Sequence, residues 1–306
     1  MTATLLIEQS LNGLQFGLML FLLAAGLTLV FGIMDMINLA HGSLYMLGAY
    51  LMATAVQASG SFVAGLVLAV LGTGLIGLLL EVSLLRRLYQ RDHLSQVLAT
   101  FALILIANEL VRMIWGAQPV MLSIPAALSG PVELMPGLYY PAYRLLIIGV
   151  GLAVALLLYW LVTRTRTGML VRAGASSREM ATALGVNIRR LFTAVFCVGA
   201  MLCAVAGALL GPLLAVQVGM GEEILILAFV VIVIGGIGSI RGALVGALLV
   251  GVADTMGRAF LPLLFRELLP PQYASGLGSG LASILIYLLM AAVLFWKPQG
   301  LFPARG

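Results

Sequence analysis

RTRTGMLVRAGASSREMATALGVNIRR, Arg164 to Arg190, is the longest polar interruption in an otherwise apolar chain, and it carries six of the sixteen basic residues. Inside it Ser176 stands three residues before Glu179, the spacing of an N-cap and its capping box. Met180, Ala181, Ala183 and Leu184 follow, and Gly185 can take the left-handed conformation that ends a helix. The pattern predicts a helix from Ser177 to Leu184, about 12 Å long. A helix of that length is marginal alone and needs a surface to dock against.

Outward from this loop, composition sets the class. Hydrophobic residues make up 62% of the 306 residues and charged residues 9%, which excludes an ordinary soluble domain. Apolar runs of about twenty residues recur, whereas barrel strands would alternate every second position. The fold expected is an all-α polytopic membrane protein, one domain over 1–306, with eight or nine transmembrane helices, some broken by glycine. The runs lie near 10–33, 38–57, 62–85, 94–115, 143–163, 191–216, 223–239, 241–261 and 277–296. No basic residue precedes Arg86, so the first run lacks the basic flank of a cleavable signal and is expected to remain as an anchor.

Basic residues orient the spans. Arg86, Arg87 and Arg91 share one loop, the central loop 164–190 holds six arginines, and Lys297 and Arg305 follow the last span; these regions are expected on the cytoplasmic side. The N-terminus then lies outside and the C-terminus inside, provided that the break at Gly235 to Gly242 also faces inward. The outer side receives Glu8, the extracytoplasmic loop 116–142, the pair Glu222 and Glu223, and Glu267. Trp115, Tyr139, Tyr140 and Tyr143 are expected as an outer aromatic belt, with Trp160 and Trp296 at the inner boundary. The prolines of 116–142 exclude a helix there, and the apolar side chains between them favour either a lid on the outer mouth or a plain connector. LPLLFRELLPPQYASG, ahead of the last span, reads as a short surface helix ended by Pro270 and Pro271.

Two spans look interrupted. In VFGIMDMINLAHGSLYMLGAYL, Asp35, Asn38 and His41 sit between apolar segments; VIVIGGIGSIRGALVGALLVG is broken by Gly235, Gly236 and Gly238 beside Ser239. Such breaks line polar cavities in transporters, which makes Asn38, His41, Gly42, Gly235, Gly236, Gly238 and Ser239 the candidate translocation pathway. Glycines four apart, Gly13 and Gly17, Gly207 and Gly211, or Gly238, Gly242 and Gly246, serve close helix packing equally well. Glu109 with Arg112, Glu81 with Arg86 or Arg87, and Asp254 with Arg258 read as locally neutralised pairs.

Catalytic and cofactor motifs are missing. There is no GxxxxGK[ST] and the only lysine is Lys297, so the chain has no ATP site of its own. GGIGSIRG has Arg241 where a dinucleotide loop needs its third glycine. Neither GxSxG nor HExxH occurs. His41 and His93 have no cluster of ligand-type residues beside them, and Cys197 and Cys203 are six apart on one expected helix, beyond disulfide reach. No cofactor, metal or nucleic-acid partner is called for, and the chain is not expected to be an enzyme.

With the loop and both breaks in place, the sequence resembles the branched-chain amino-acid ABC transporter permeases of the LivH type over nearly its whole length. The resemblance rests on GLTLVFGIMDMINLAHGSLYMLGAY at 26–50, TRTGMLVRAGASSREMATALGVNIRRLF at 165–192, AGALLGP at 206–212 and GGIGSIRGALVGALLVG at 235–251. The central loop is similar to the EAA loop of importer permeases, with Glu179, Ala181 and Gly185 at its Glu, second Ala and Gly, Met180 replacing the first Ala, and the usual ending absent. The resemblance implies a bacterial inner-membrane permease subunit of an ATP-driven importer for branched-chain or related small amino acids. Its partners would be two ATPase subunits, a second homologous permease, a periplasmic binding protein and membrane lipid. The short helix would be a cytoplasmic coupling helix carrying force from the ATPases, through Ser176, Arg178, Glu179, Ala181, Gly185, Arg189 and Arg190. Arg172, Arg178, Arg189 and Arg190 fit either acidic groups on an ATPase or lipid headgroups. The competing expectations are an ion-coupled secondary transporter or channel for a small polar solute, against which the scarcity of midspan ionisable residues counts, and a membrane scaffold.

Overall fold

The computed structural model describes residues 3–268 and 270–302; Arg305 lies outside the described residues. The chain is a helical bundle built around α1 (Ala3–Met34), whose residues from Leu18 to Ala25 are almost wholly buried. An apolar helix enclosed on all sides is the expected centre of a membrane bundle. Around it stand α2 (His41–Ser59), α3 (Phe62–Leu80), α5 (His93–Trp115), α6 (Ala142–Arg164), α9 (Ile188–Leu210), α10 (Met220–Gly235), α11 (Ile240–Leu268) and α12 (Pro271–Trp296). A π-helical turn at Glu81–Leu85 and the single turn α4 (Arg86–Leu88) end α3. Between α6 and α9 lie α7 (Arg166–Ser176) and α8 (Arg178–Ala183).

Small residues set the closest approaches. A Cβ on Gly17 would stand 2.8 Å from the Ala247 carbonyl oxygen and one on Gly251 2.4 Å from the Gly17 nitrogen, so α1 and α11 touch backbone to backbone. Gly48 faces Ala204, and Gly207 faces the Tyr45 carbonyl, which binds α2 to α9 in the same way. Such contacts replace the hydrophobic driving force that helices lack in lipid.

Seven of the described helices are long and apolar enough to cross a membrane by length and composition: α1, α3 with its continuation to Leu88, α5, α6, α9, α11 and α12. The other two start inside the bundle. After Met34 the chain turns at Asp35, whose φ of 46° is the one positive value at a described non-glycine residue, and runs without helix through 35–40 before α2 begins. His41 lies against Gly26 and Gly199, eight residues from the end of α1 and midway along α9, hence about 12 Å inside that end of the bundle. Likewise the chain leaves α9 at Leu210 and returns without helix to start α10 at Met220, beside Gly42. At sixteen residues α10 is about 24 Å long, short of a full crossing.

Irregular backbone at membrane depth persists only where protein satisfies its polar groups. The Ile37 N–H donates to Gln96 Oε1, the Ala40 N–H to Asn38 Oδ1, and Val216 exchanges two backbone hydrogen bonds with Val120 of the 116–142 loop.

That loop is not wholly irregular. It holds an antiparallel hairpin, β1 (Pro131–Met135) and β2 (Leu138–Pro141), turned at Gly137 with φ 83°. Tyr140 and Tyr143 do not join an outer belt: both are buried, and their hydroxyls donate to Asn12 Oδ1 and the Leu209 carbonyl. Among the described residues no separate surface helix precedes the last span. Pro262 sits within a continuous α11, and Pro271 opens α12 at its first turn, where a missing N–H costs nothing.

Candidate functional site: the α7–α8 elbow and the helix breaks

The elbow is built by local chemistry. Thr165 Oγ1 accepts from the Gly168 N–H at 3.1 Å and starts α7. A side chain at Gly168 would come within 2.3 Å of the Leu161 and Val162 carbonyls, so glycine permits α7 to fold straight back from α6. The N-cap of α8 is Ser177, whose Oγ accepts from the Met180 N–H at 3.2 Å, and not Ser176, which ends α7. That shift dissolves the expected capping box, because Met180 rather than Glu179 now stands three residues on. The exit is as expected: Gly185 has φ 85°, its N–H donates to the Thr182 carbonyl and that of Val186 to Ala181, a Schellman ending.

Ala181 is the one fully buried residue of α8, at 2% exposure, whereas Met180 and, just past the helix, Leu184 project at 64% and 78%. Glu179, Arg189 and Arg190 are exposed around them. Arg178 is half-buried, with its guanidinium 5.4 Å over the Phe192 ring, a cation–π contact that anchors α8 to α9. At the same end Glu81, fully buried, accepts from Arg86, Tyr89 and Thr193 at 3.0, 2.9 and 2.8 Å and ties the end of α3 to the start of α9. Burial and the adjacent carboxylate push the Tyr89 phenol up from its ordinary value.

Two openings adjoin the elbow. A crevice of about 480 Å³ runs from Gly32 and Asp35 to Ser176, Ser177, Arg178 and Glu179, so α8 borders the α1–α2 break directly. A larger cavity of about 820 Å³ lies between Thr28 and Gly32 of α1, Tyr159 of α6, Arg172 of α7, and Gly238, Ser239 and Arg241. Gly32 and Gly238 meet there: a Cβ on the first would stand 2.7 Å from the Cα of the second.

The structure thus brings Gly238, Ser239 and Ser176 to one cavity. It places Asn38, His41 and Gly42 elsewhere, all buried, with His41 and Gly42 deeper in the bundle. His41 Nε2 is 3.0 Å from Cys203 Sγ, and Gly42 is locked against Gly221. Gly235 packs on Gly242, and Gly236, with φ 103°, is covered by Gly300. The expected local ion pairs all form, Glu109 with Arg112 at 2.8 Å, Asp254 with Arg258 at 2.9 Å and Glu81 with Arg86 at 3.0 Å. Glu222 departs from expectation: it stands exposed on the first turn of α10, not in a loop, and accepts from Asn108 of α5. No local pattern marked that contact, since its partners are 114 residues apart.

The family model for the branched-chain amino acid transport system permease component matches residues 9–294. The chain is 31% identical to the high-affinity branched-chain amino acid transport system permease protein BraD of Pseudomonas aeruginosa, over 96% of this chain and 95% of that protein. It is 29% identical to the corresponding LivH protein of Escherichia coli over 96% of each. A shorter stretch, 31% of this chain and 29% of the relative, is 38% identical to the fructose import permease protein FrcC of Rhizobium meliloti. A match spanning all the membrane helices, both breaks and the elbow shows that this chain belongs to the branched-chain amino acid transport permease family.

Proposed function

We propose that the chain is the permease subunit of an ATP-driven importer for branched-chain or related small amino acids, in a bacterial inner membrane, with its N-terminus outside and its C-terminus inside. The observation that carries this reading is α8: a six-residue helix with Met180 and Leu184 held out in solvent. Exposed apolar tips on so short a helix are what a docking element presents to a partner. An ATPase subunit would receive them, with Glu179, Arg189 and Arg190 on the rim, and a second ATPase would serve a second, homologous permease. A periplasmic binding protein would deliver the solute and set much of its identity.

Contacts support a route for the force. Displacing α8 moves the wall it shares with Asp35, and the 35–40 segment leads to Gly42, which is locked on Gly221 at the start of α10. Asn38, His41, Gly42 and Gly235 act in this reading as the joints of a two-state element, and Gly236, Gly238 and Ser239 as the hinge of its inner end. The two states would expose the pathway alternately to either side.

The test is to tag the chain, extract it gently from its native membrane and identify what co-purifies with wild type, Glu179→Arg and Gly185→Arg. Recovery of ATPase subunits with the wild type and their loss from both variants is the expected result. Failure of the wild type to retain any ATPase in several mild detergents would move the reading to an ion-coupled transporter.

A further inference from the structure

The cavity of about 820 Å³ beside α7 combines two chemistries. Leu29 and Ile33 of α1, Val162 of α6 and Val171 of α7 give it an apolar wall, and Arg172 and Arg241 add two cations beside the hydroxyls of Ser176 and Ser239. Arg172 donates to the Val162 carbonyl; Arg241 lies 5.4 Å over the Tyr159 ring and donates to its hydroxyl at 3.4 Å. A guanidinium has five N–H donors, so most of them are left over. Neither arginine belongs to an ion pair among the described residues, and no carboxylate lines the cavity. The acidic groups of the neighbouring elements, Asp35 and Glu179, line the smaller crevice together with Arg178. Arg164 and Arg166, exposed where α6 meets α7, add to the positive side.

The place is a membrane surface. Helix α6 is a span that ends at Arg164, and Leu156, Leu157 and Trp160 on its outer flank are 69%, 55% and 57% exposed. Tyr159, half-exposed on the last turns of the same helix, lines the cavity, which therefore opens beside a lipid-facing surface at the level of an interfacial aromatic. From there it reaches Thr28, six residues before the end of α1, about 9 Å further in. Its C-terminal border is fixed, because the Leu301 and Phe302 N–H groups donate to the Ile234 and Gly235 carbonyls at 2.9 Å. We infer that this cavity holds one anionic diacyl phospholipid, its phosphate on Arg172 and Arg241 and an acyl chain along Leu29, Ile33 and Val162. Basic recesses between membrane helices suit such headgroups, and the guanidinium fork matches phosphate oxygens. A free phosphate, or an acidic segment of a partner protein, would satisfy the arginines but leave the apolar wall bare. The lipid joins α7, which leads into the elbow, to the start of α11 behind the Gly236 and Gly238 break. The inference goes beyond the permease reading and needs only a membrane bundle with these walls.

The experiment uses the full chain with whatever co-purifies in mild detergent. It is titrated with dioleoyl phosphatidylglycerol, dioleoyl phosphatidylcholine or inorganic phosphate, and bound species are counted by native mass spectrometry. The wild type should bind the anionic lipid about tenfold more tightly than the zwitterionic one, and Arg172→Gln with Arg241→Gln should remove that preference, whereas Arg87→Gln with Arg91→Gln, an equal loss of charge at exposed positions of another loop, should change it less than about twofold. Thr163→Trp keeps both arginines, fills the cavity and should also lose the anionic lipid. Equal binding of the two lipids by the wild type, or undiminished binding of the anionic lipid by either cavity variant, overturns the site. A phosphate adduct without a lipid adduct assigns the arginines to a free anion and overturns it as well, as does loss of a co-purifying protein from the arginine variant while lipid binding stays unchanged. None of these readings depends on ATPase recovery or uptake, so the lipid site and the permease reading fail separately.

Discussion

Gly221→Ala is a one-carbon change at the joint between the two helices that start inside the bundle. A Cβ at Gly221 would stand 2.2 Å from the Gly42 carbonyl oxygen and 2.6 Å from its carbon, where ordinary contact begins at 3.4 Å. Both obstacles are backbone, so no rotamer relieves them, and the starts of α2 and α10 must part by about 1 Å; overpacking of this kind costs about 1–3 kcal/mol. The neighbours cannot share the shift easily, because Gly207 holds α2 against α9 just above. Gly149→Ala in α6 is the control, since nothing lies within 4 Å of its would-be Cβ; alanine there should stabilise the helix by about 0.5–1 kcal/mol. Thermal melting of the purified complex and uptake in proteoliposomes are measured for both. The Gly221 variant should melt several degrees lower and transport poorly even where ATPases remain bound, and the control should melt no lower than wild type. If Gly221→Ala melted and transported like the control, the locked joint and the force route through it would both be refuted.

Three further outcomes follow from the same geometry. Ser177→Ala removes the α8 cap and should loosen that helix by about 1 kcal/mol, lowering ATPase recovery in a salt-insensitive way, whereas Ser176→Ala should leave recovery unchanged. Arg86→Ala strands the fully buried Glu81 carboxylate and should cost about 2–3 kcal/mol, with Tyr89 and Thr193 offsetting part of the loss; Arg112→Ala, at an exposed pair, should cost under about 1 kcal/mol, and melting temperatures of the two variants compare them directly. Gly185→Val forces a β-branched residue into φ 85° and should cost roughly 1–3 kcal/mol of local order, read as faster amide exchange across residues 178–186.

Apolar runs made most of the bundle legible, because a span needs about twenty residues and little else occupies such a run. The elbow was legible apart from its register: Ser176 and Ser177 are adjacent and equally able to cap, and the choice was made by α7, which the Thr165 cap and the Gly168 contact extend through Ser176. The half-height starts of α2 and α10 were not legible. Gly42 and Gly235 read alike whether they line a passage or let two backbones touch, and the difference lies in Gly221 and Gly242, their partners across space. Glu222 followed the same logic, since an acidic pair beside Gly219 and Gly221 reads as a loop until Asn108 is brought to it. The hairpin in 116–142 was hidden by its prolines, which sit at the outer strand ends, Pro131 and Pro141, and in the turn, Pro136, where a missing N–H is tolerated.

The most direct measurement of the central claim is uptake of labelled leucine by proteoliposomes holding the complete complex, with the binding protein present, comparing ATP with a non-hydrolysable analogue. Accumulation against a gradient is expected with ATP, none with the analogue, and none with ATP when Met180 and Leu184 are both replaced by aspartate. Accumulation driven by an ion gradient without ATP or ATPase subunits would contradict it.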